Sequence, residues 1–201
     1  MRKTFFLVAL VVIGCKPPAE ANSAAPVPVL TAPTPVAPTL SPSSPVAPAR
    51  AIAAAGALKG ELKAALEDAM KVGGPVGAID VCKDKGQSIA AAHTKEGLAV
   101  GRTSHKLRNP ANAPRPWVQP LLDEMVKSDP TTLTARTIAL EGGRVGYVEP
   151  IVTGQLCLAC HEAITPVVQA KLAGTYPNDA ATGFKLGELR GVVWVEMTAS
   201  Q

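Results

Sequence analysis

The chain has 201 residues and a formal net charge of +4 at pH 7, and aromatic residues make up only 3% of it. Four of the 20 basic residues and one of the 16 acidic residues precede residue 51, so residues 51–201 carry 16 basic and 15 acidic side chains. Because nucleic-acid binding depends on a surplus of cations, this near-neutral balance argues against nucleic acid as a partner.

Residues 1–14 are typical of a secretory signal peptide. Arg2 and Lys3 precede the apolar run 5–13, which is too short to cross a bilayer. Cys15 directly follows a small residue, as in a bacterial lipoprotein cleavage site, and is therefore predicted to carry lipid. The alternative is an ordinary signal peptide followed by an incidental cysteine. The first interpretation predicts export to the cell envelope and a periplasm-facing lipid anchor, on the outer rather than the inner membrane of a Gram-negative cell.

Residues 15–49 are rich in Pro and Ala and show no hydrophobic periodicity. Frequent proline prevents regular helices and sheet ladders and favours extended polyproline II. At about 3.1 Å per residue, such a tether can hold a domain roughly 90 Å from its anchor. The remaining residues, 50–201, are enough for one domain with its own core.

This domain begins with two predicted helices. Ala, Leu, Lys and Glu favour a helix over residues 51–71, and Gly73 and Gly74 end it. Pro75 suits the first turn of a second helix that runs to about residue 92. Cys82 lies on the apolar face of this second helix, so its side chain is expected to point inward.

Strands dominate the later part of the domain. The predicted elements are a strand at 98–107, a helix at 117–127, a hairpin of strands 132–140 and 145–152, and a closing strand at 191–197. A helix that begins near Cys157 is expected to reach at least Ile164, and Pro166 is a place where a new turn can begin. Helices followed by a largely antiparallel sheet predict an α+β fold.

Cys157, Cys160 and His161 form the C-x-x-C-H signature of covalent c-type haem. In a helical turn this spacing brings both thiols to one side, where they can add to the two porphyrin vinyl groups, and it directs the imidazole toward the iron. Half of a zinc site, a redox-active thiol pair and a local disulfide are the alternatives. The motif predicts one covalent haem c.

With Cys15 lipidated and two cysteines joined to haem, Cys82 has no disulfide partner. A free inward-facing cysteine is often a small buried hydrophobe, and it can also bind a metal. Cys82 is therefore one candidate for the sixth iron ligand, and His105, His93 and Met125 are the others. Here His105 is expected to lie on the strand 98–107.

Several segments resemble the Tll0287-like c-type haem proteins, a family also catalogued as a domain of unknown function. The matching segments are PVGAIDVC (75–82), GRTSHKLRNPAN (101–112) with Trp117, YVEPI (147–151), CLACH (157–161) and YPNDAATGFKLGELRG (176–191). The resemblance implies a PAS-like antiparallel sheet with N-terminal helices that encloses one haem. It also implies axial iron ligation by His161 and Cys82.

Basic residues near the strand 98–107 can pair with the haem propionates, because a guanidinium fork matches a carboxylate. Arg102 and Arg108 are the favoured candidates over Lys106 and Arg115, and a solvated strand face is the alternative. The function expected is low-potential electron transfer with an unknown redox partner protein. A haem-based redox or gas sensor that acts through a partner is the second expectation, and an enzyme such as a peroxidase ranks last.

Overall fold

The computed structural model describes residues 49–95, 97–162 and 164–198. The predicted signal peptide, the tether up to residue 48 and the lipidation site at Cys15 lie outside these residues. Among the described helices, none has the length and apolar character needed to cross a membrane.

Helix α1 spans Ala49–His93 and is interrupted at Gly74, whose φ of 57° and ψ of −160° are not helical. Such a conformation is accessible to glycine, and Pro75 then opens the second segment with its φ already close to the helical value. The prediction of two helices separated at this point is confirmed. Cys82 lies in the second segment.

In the described part of the chain, four antiparallel strands form an open sheet in the order β1-β4-β3-β2. Their bounds are Leu98–Thr103 for β1, Arg136–Leu140 for β2, Arg144–Val152 for β3 and Leu189–Thr198 for β4. The hairpin between β2 and β3 turns at Glu141–Gly143, as predicted, but its first strand begins at Arg136 rather than at residue 132 because a short 3-10 turn occupies Pro130–Thr132. The chain therefore has a mixed α+β fold.

Within residues 97–162 and 164–198, three further α-helices connect the strands. They are α2 (Gln119–Lys127), α3 (Gln155–His161) and α4 (Pro166–Thr175). The prediction that the motif helix reaches Ile164 was wrong, because Glu162 leaves helical geometry at φ −108° and ψ −126°. A new helix begins at Pro166, where the Thr165 hydroxyl accepts a hydrogen bond from the Val168 amide.

The predicted strand 98–107 is also shorter than expected. β1 ends at Thr103, and the Ser104 hydroxyl then donates to the Arg190 carbonyl and accepts from the Lys106 amide. These side-chain bonds replace the strand ladder. His105 consequently lies beyond the strand rather than on it.

Helices cover both faces of the sheet. On one face α1 packs against alternate residues of β4, in a core cluster of Ala51, Ala55, Leu58, Ile89, Leu98, Val100, Tyr147, Val193, Val195 and Met197. On the other face α2 packs against the intervening residues, in a cluster of Val118, Leu121, Leu122, Met125, Val148, Leu189, Val192 and Trp194. The period-2 alternation of β4 therefore separates two cores.

Candidate functional site

A cavity of about 210 Å³ lies where α1, the end of β1, β4 and α3 meet. Six residues that the sequence predicted for haem attachment, haem pairing or iron ligation line it together: Cys82, Arg102, Arg108, Cys157, Cys160 and His161. Its apolar wall is formed mainly by Leu66, Met70, Ala78, Ile79, Leu107, Ile151 and Leu156. Segments far apart in the sequence thus converge on one site.

His161, the last residue of α3, has a defined orientation in this cavity. Its Nδ1 donates to the Ala181 carbonyl oxygen at 2.6 Å, and its ring meets Phe184 edge to face with centroids 6.1 Å apart. Burial, and then the nearby charges of Arg190 and Arg108, lower the pKa of His161 to about 3. The imidazole is therefore neutral at pH 7, with the Nε2 lone pair directed away from the carbonyl, as in metal-binding histidines.

The three described cysteines are free thiols and half-buried. The α3 turn carries Cys157 and Cys160, and Cys160 also packs beside the apolar residues of α4. Burial raises the pKa of Cys82, and the charges of Arg102 and Arg108 partly offset that rise. Since Cys82 also influences the pKa of Cys160, the two thiols share one electrostatic environment.

The other candidates for a sixth ligand lie elsewhere. Met125 is buried in the core under α2, on the opposite face of the sheet. His93 Nε2 is 2.8 Å from Glu61 Oε2, and His105 stacks edge to face on Phe184 without lining the cavity. Met70 does line the cavity, and the sequence analysis missed it. Helical spacing marks Met70 only as an apolar residue, so no sequence signal separates it from the core.

Arg108 lines the cavity, and it also forms hydrogen bonds with neighbouring groups of the protein. Its Nε donates to Asp179 at 3.0 Å, and its Nη2 donates to the carbonyl oxygens of Cys160 at 2.7 Å and Ala181 at 3.3 Å. Both side chains of the ion pair are largely buried. Arg108 therefore ties the motif helix to the loop that orients His161.

Arg190 is a second residue that the sequence analysis missed. Ile151 and Val152 on β3 are consecutive, but their β4 partners are Gly191 and Leu189, so Arg190 is an extra residue in the ladder. This bulge directs its side chain into the cavity, where Nη1 donates to Ser104 Oγ at 3.0 Å. Burial, then the charges of Arg108 and Arg102, lower the pKa of Arg190 to about 10, and the side chain remains cationic at pH 7.

The polar part of the cavity is strongly cationic. Arg102, Lys106, Arg108 and Arg190 line it, and no acidic residue is found among its described lining residues. The buried hydroxyl of Thr103, also on the wall, has no hydrogen-bond partner in the described part of the chain. Arg115 instead lies over the Trp194 ring at 4.6 Å. The arrangement suits an amphipathic ligand with an apolar body and anionic groups, held by thiols and an imidazole.

Comparisons with known proteins confirm the family that the matching sequence segments predicted. The model of the Tll0287-like family (Tll0287) matches residues 37–198. A solved structure, the crystal structure of the cyanobacterial heme-protein Tll0287, is similar with a TM-score of 0.54 and 27% identity, covering 75% of this chain and 93% of that chain. No curated protein matches the sequence. The chain belongs to the Tll0287-like family.

Proposed function

We propose that this chain is an envelope lipoprotein that binds one covalent c-type haem and serves as a low-potential redox protein. The observation that carries the proposal is the convergence of Cys157, Cys160 and His161 with Cys82 on one cavity. The relation to a protein described as a cyanobacterial heme-protein supports it. In this proposal the open sheet and α1 form a PAS-like scaffold that encloses the haem.

The residues present fit such a group. Cys157 and Cys160 are free thiols one helical turn apart, as needed for two thioether bonds to the porphyrin. The hydrogen bond to Ala181 holds His161 as the tautomer that can coordinate iron through Nε2. When bound, haem supplies an iron that accepts and releases single electrons.

Cys82 is the sixth ligand in this proposal. Its half-buried thiol lines the cavity; burial raises the pKa of this thiol, and the charges of Arg102 and Arg108 partly offset that rise. A thiolate stabilises ferric over ferrous iron, so this ligand set implies a low reduction potential. If His161 and Cys82 both held the iron, no position would remain open for a peroxide substrate, which disfavours peroxidase-type chemistry.

The proposal includes export and lipidation at Cys15. These fit the haem, because c-type haem attachment and the lipid anchoring of a lipoprotein take place on the same side of the membrane. A Cys15→Ser variant is expected to move from the membrane fraction to the soluble periplasmic fraction and to lose incorporation of labelled fatty acid. Cys82→Ser is the matched control and is expected to stay with the membrane. Continued membrane fractionation of Cys15→Ser would contradict the anchor.

A haem-based redox or gas sensor is the second candidate. It is favoured by the half-buried Cys82 thiol in the cavity, because burial raises its pKa and so favours the neutral thiol, which is a weaker metal ligand than the thiolate. A sensor needs a partner protein to receive the signal, and an electron carrier needs a redox partner.

Two measurements on the matured protein separate these functions. One is the reduction potential, and the other is carbon monoxide binding by the ferrous form. Rapid electron exchange without carbon monoxide binding supports the electron carrier, since a filled sixth position excludes the gas. Ready binding of carbon monoxide at low concentration would reject that function in favour of the sensor.

A further inference from the structure

We propose that Arg190, together with Arg102, binds one carboxylate of the ligand at the polar end of the cavity. The proposal rests on the proposed haem function and identifies this carboxylate as one of the two haem propionates.

The first support is the position of Arg190 in the sheet. Leu189 and Val192 both pack in the core under α2, although they are three residues apart on β4. Regular alternation would place them on opposite faces, so the extra residue between them changes the register. The bulge brings Arg190 to the α1 face, where Arg102 follows Leu98 and Val100 along β1. Two guanidinium groups from neighbouring strands thereby line the same cavity.

The second support is that Arg190 has no acidic partner in the described part of the chain. Its hydrogen bonds go to the neutral atoms Ser104 Oγ at 3.0 Å and His161 Nε2 at 3.3 Å, and its guanidinium lies 4.7 Å from the Phe184 ring centroid. Ser104 also donates to the Arg190 carbonyl at 2.7 Å, so both ends of the residue are held. Such a held cation without a counter-ion is a good binding group for an anion.

The third support comes from the Nε2 atom of His161. This atom has one lone pair, which either accepts a hydrogen bond from Arg190 or binds iron. Iron binding would leave the Nη2 hydrogens of Arg190 in need of another acceptor. A carboxylate on the same ligand supplies one.

Arg102 and Arg108 differ in whether their guanidinium groups are available to bind a carboxylate. Arg102 makes no hydrogen bond or ion pair with any described residue, and its Nη2 lies against Gly86, at 2.8 Å from the place that a Cβ would occupy there. In Arg108, by contrast, Nε already donates to Asp179, and Nη2 already donates to two backbone carbonyls. The carboxylate site is therefore assigned to Arg190 and Arg102, and Arg108 is a positioning residue.

The test compares two porphyrins on the full chain, produced without cytochrome maturation so that the thiols stay free. Ferric protoporphyrin IX and its dimethyl ester are each titrated into the protein, and the Kd is read from the change in the Soret absorption. The ester keeps the macrocycle and the iron but lacks the carboxylates. Wild type is expected to bind the free acid about tenfold or more tightly, because the ester cannot form charge-assisted hydrogen bonds with the two guanidinium groups.

Three variants and one control identify the residues involved. Arg190→Met and Arg102→Met are each expected to reduce the preference for the free acid, whereas Arg190→Lys retains part of it because the charge remains. The control Arg136→Met removes an arginine that pairs with Glu124 outside the cavity, and it is expected to keep the full preference.

The wild-type comparison needs no substitution, so a variant that fails to fold does not remove the test. Equal affinity of wild type for the acid and the ester, or an unaltered preference in both methionine variants, would overturn the carboxylate site and leave haem binding intact. If wild type bound neither porphyrin and the matured protein contained no haem, the proposed function would be overturned as well.

Discussion

The Nδ1 atom of His161 donates a 2.6 Å hydrogen bond to the carbonyl oxygen of Ala181. Those residues are 20 positions apart. A second hydrogen bond joins the same two segments, because the Phe184 amide donates to the His161 carbonyl at 2.8 Å. These two hydrogen bonds connect the C-terminal end of α3 to the loop before β4. This pairing sets both the tautomer and the direction of Nε2, which is what an iron ligand requires.

Replacement of Cys82 tests the sixth ligand. Cys82→Ala is expected to shift the optical spectrum of the matured protein and to raise its reduction potential, because the thiolate no longer stabilises ferric iron. Spectroelectrochemistry measures both quantities.

Met70→Leu is the matched control, because Met70 lines the same cavity and leucine keeps its apolar volume. If the spectrum changed in Met70→Leu and not in Cys82→Ala, the thioether rather than the thiolate would be the ligand.

Removal of Arg108 tests its role in holding the motif helix. Arg108→Met breaks a largely buried ion pair with Asp179 and leaves the Cys160 and Ala181 carbonyls without their donor. Because the loss of one partner of a buried pair leaves an uncompensated charge, the free energy of unfolding is expected to fall by about 3 kcal/mol. Urea denaturation of wild type and of Arg108→Met measures the change in the free energy of unfolding.

Arg136→Met provides the comparison for that experiment. Its partner Glu124 is well exposed, so the expected loss is below about 1 kcal/mol. Similar losses in the two variants would show that Arg108 contributes no more than a surface residue.

Gly191 allows β1 and β4 to approach closely beside the site. A Cβ on this residue would meet the Thr103 carbonyl oxygen and lie 3.2 Å from the Ser104 Cα. Since both neighbours are backbone atoms, Gly191→Ala is expected to force the strands apart and to cost about 2 kcal/mol in unfolding free energy. Thermal or urea denaturation checks this expectation.

Gly154→Ala is its control in the same region. Apart from its two neighbours in the chain, no residue has a heavy atom within 4 Å of a Cβ built on Gly154, and its φ of −93° is accessible to alanine. A change within about 0.5 kcal/mol is expected there. Equal stability of the two variants would contradict the close approach at Gly191.

Local sequence signals were sufficient for most of the elements. Gly74 and Pro75 mark the interruption of α1, and Glu141–Gly143 marks the hairpin, because both depend on the conformational preferences of neighbouring residues. Likewise, the spacing of Cys157, Cys160 and His161 within one turn needs no tertiary information. The sequence also placed Cys82 on the inward face, and the cavity contains it.

The features that the sequence could not predict depend on tertiary pairing. Arg190 reads as a polar residue beside a closing strand, and only the register of β4 against β3 shows that a bulge turns it into the cavity. β1 was predicted too long because Ser104 bonds to Arg190, a residue 86 positions away. For the same reason, the sequence could not predict that Arg108 is paired with Asp179 while Arg102 is not, because Asp179 is distant in sequence from both.

The central claim is that a porphyrin is joined to this chain through Cys157 and Cys160. Its most direct test is the mass of the denatured mature protein from a host with cytochrome maturation, beside that of a Cys157→Ser, Cys160→Ser double variant. Wild type is expected to retain the added mass of one haem, and the double variant is expected to lack it. A wild-type mass equal to that of the polypeptide with its lipid alone would contradict it.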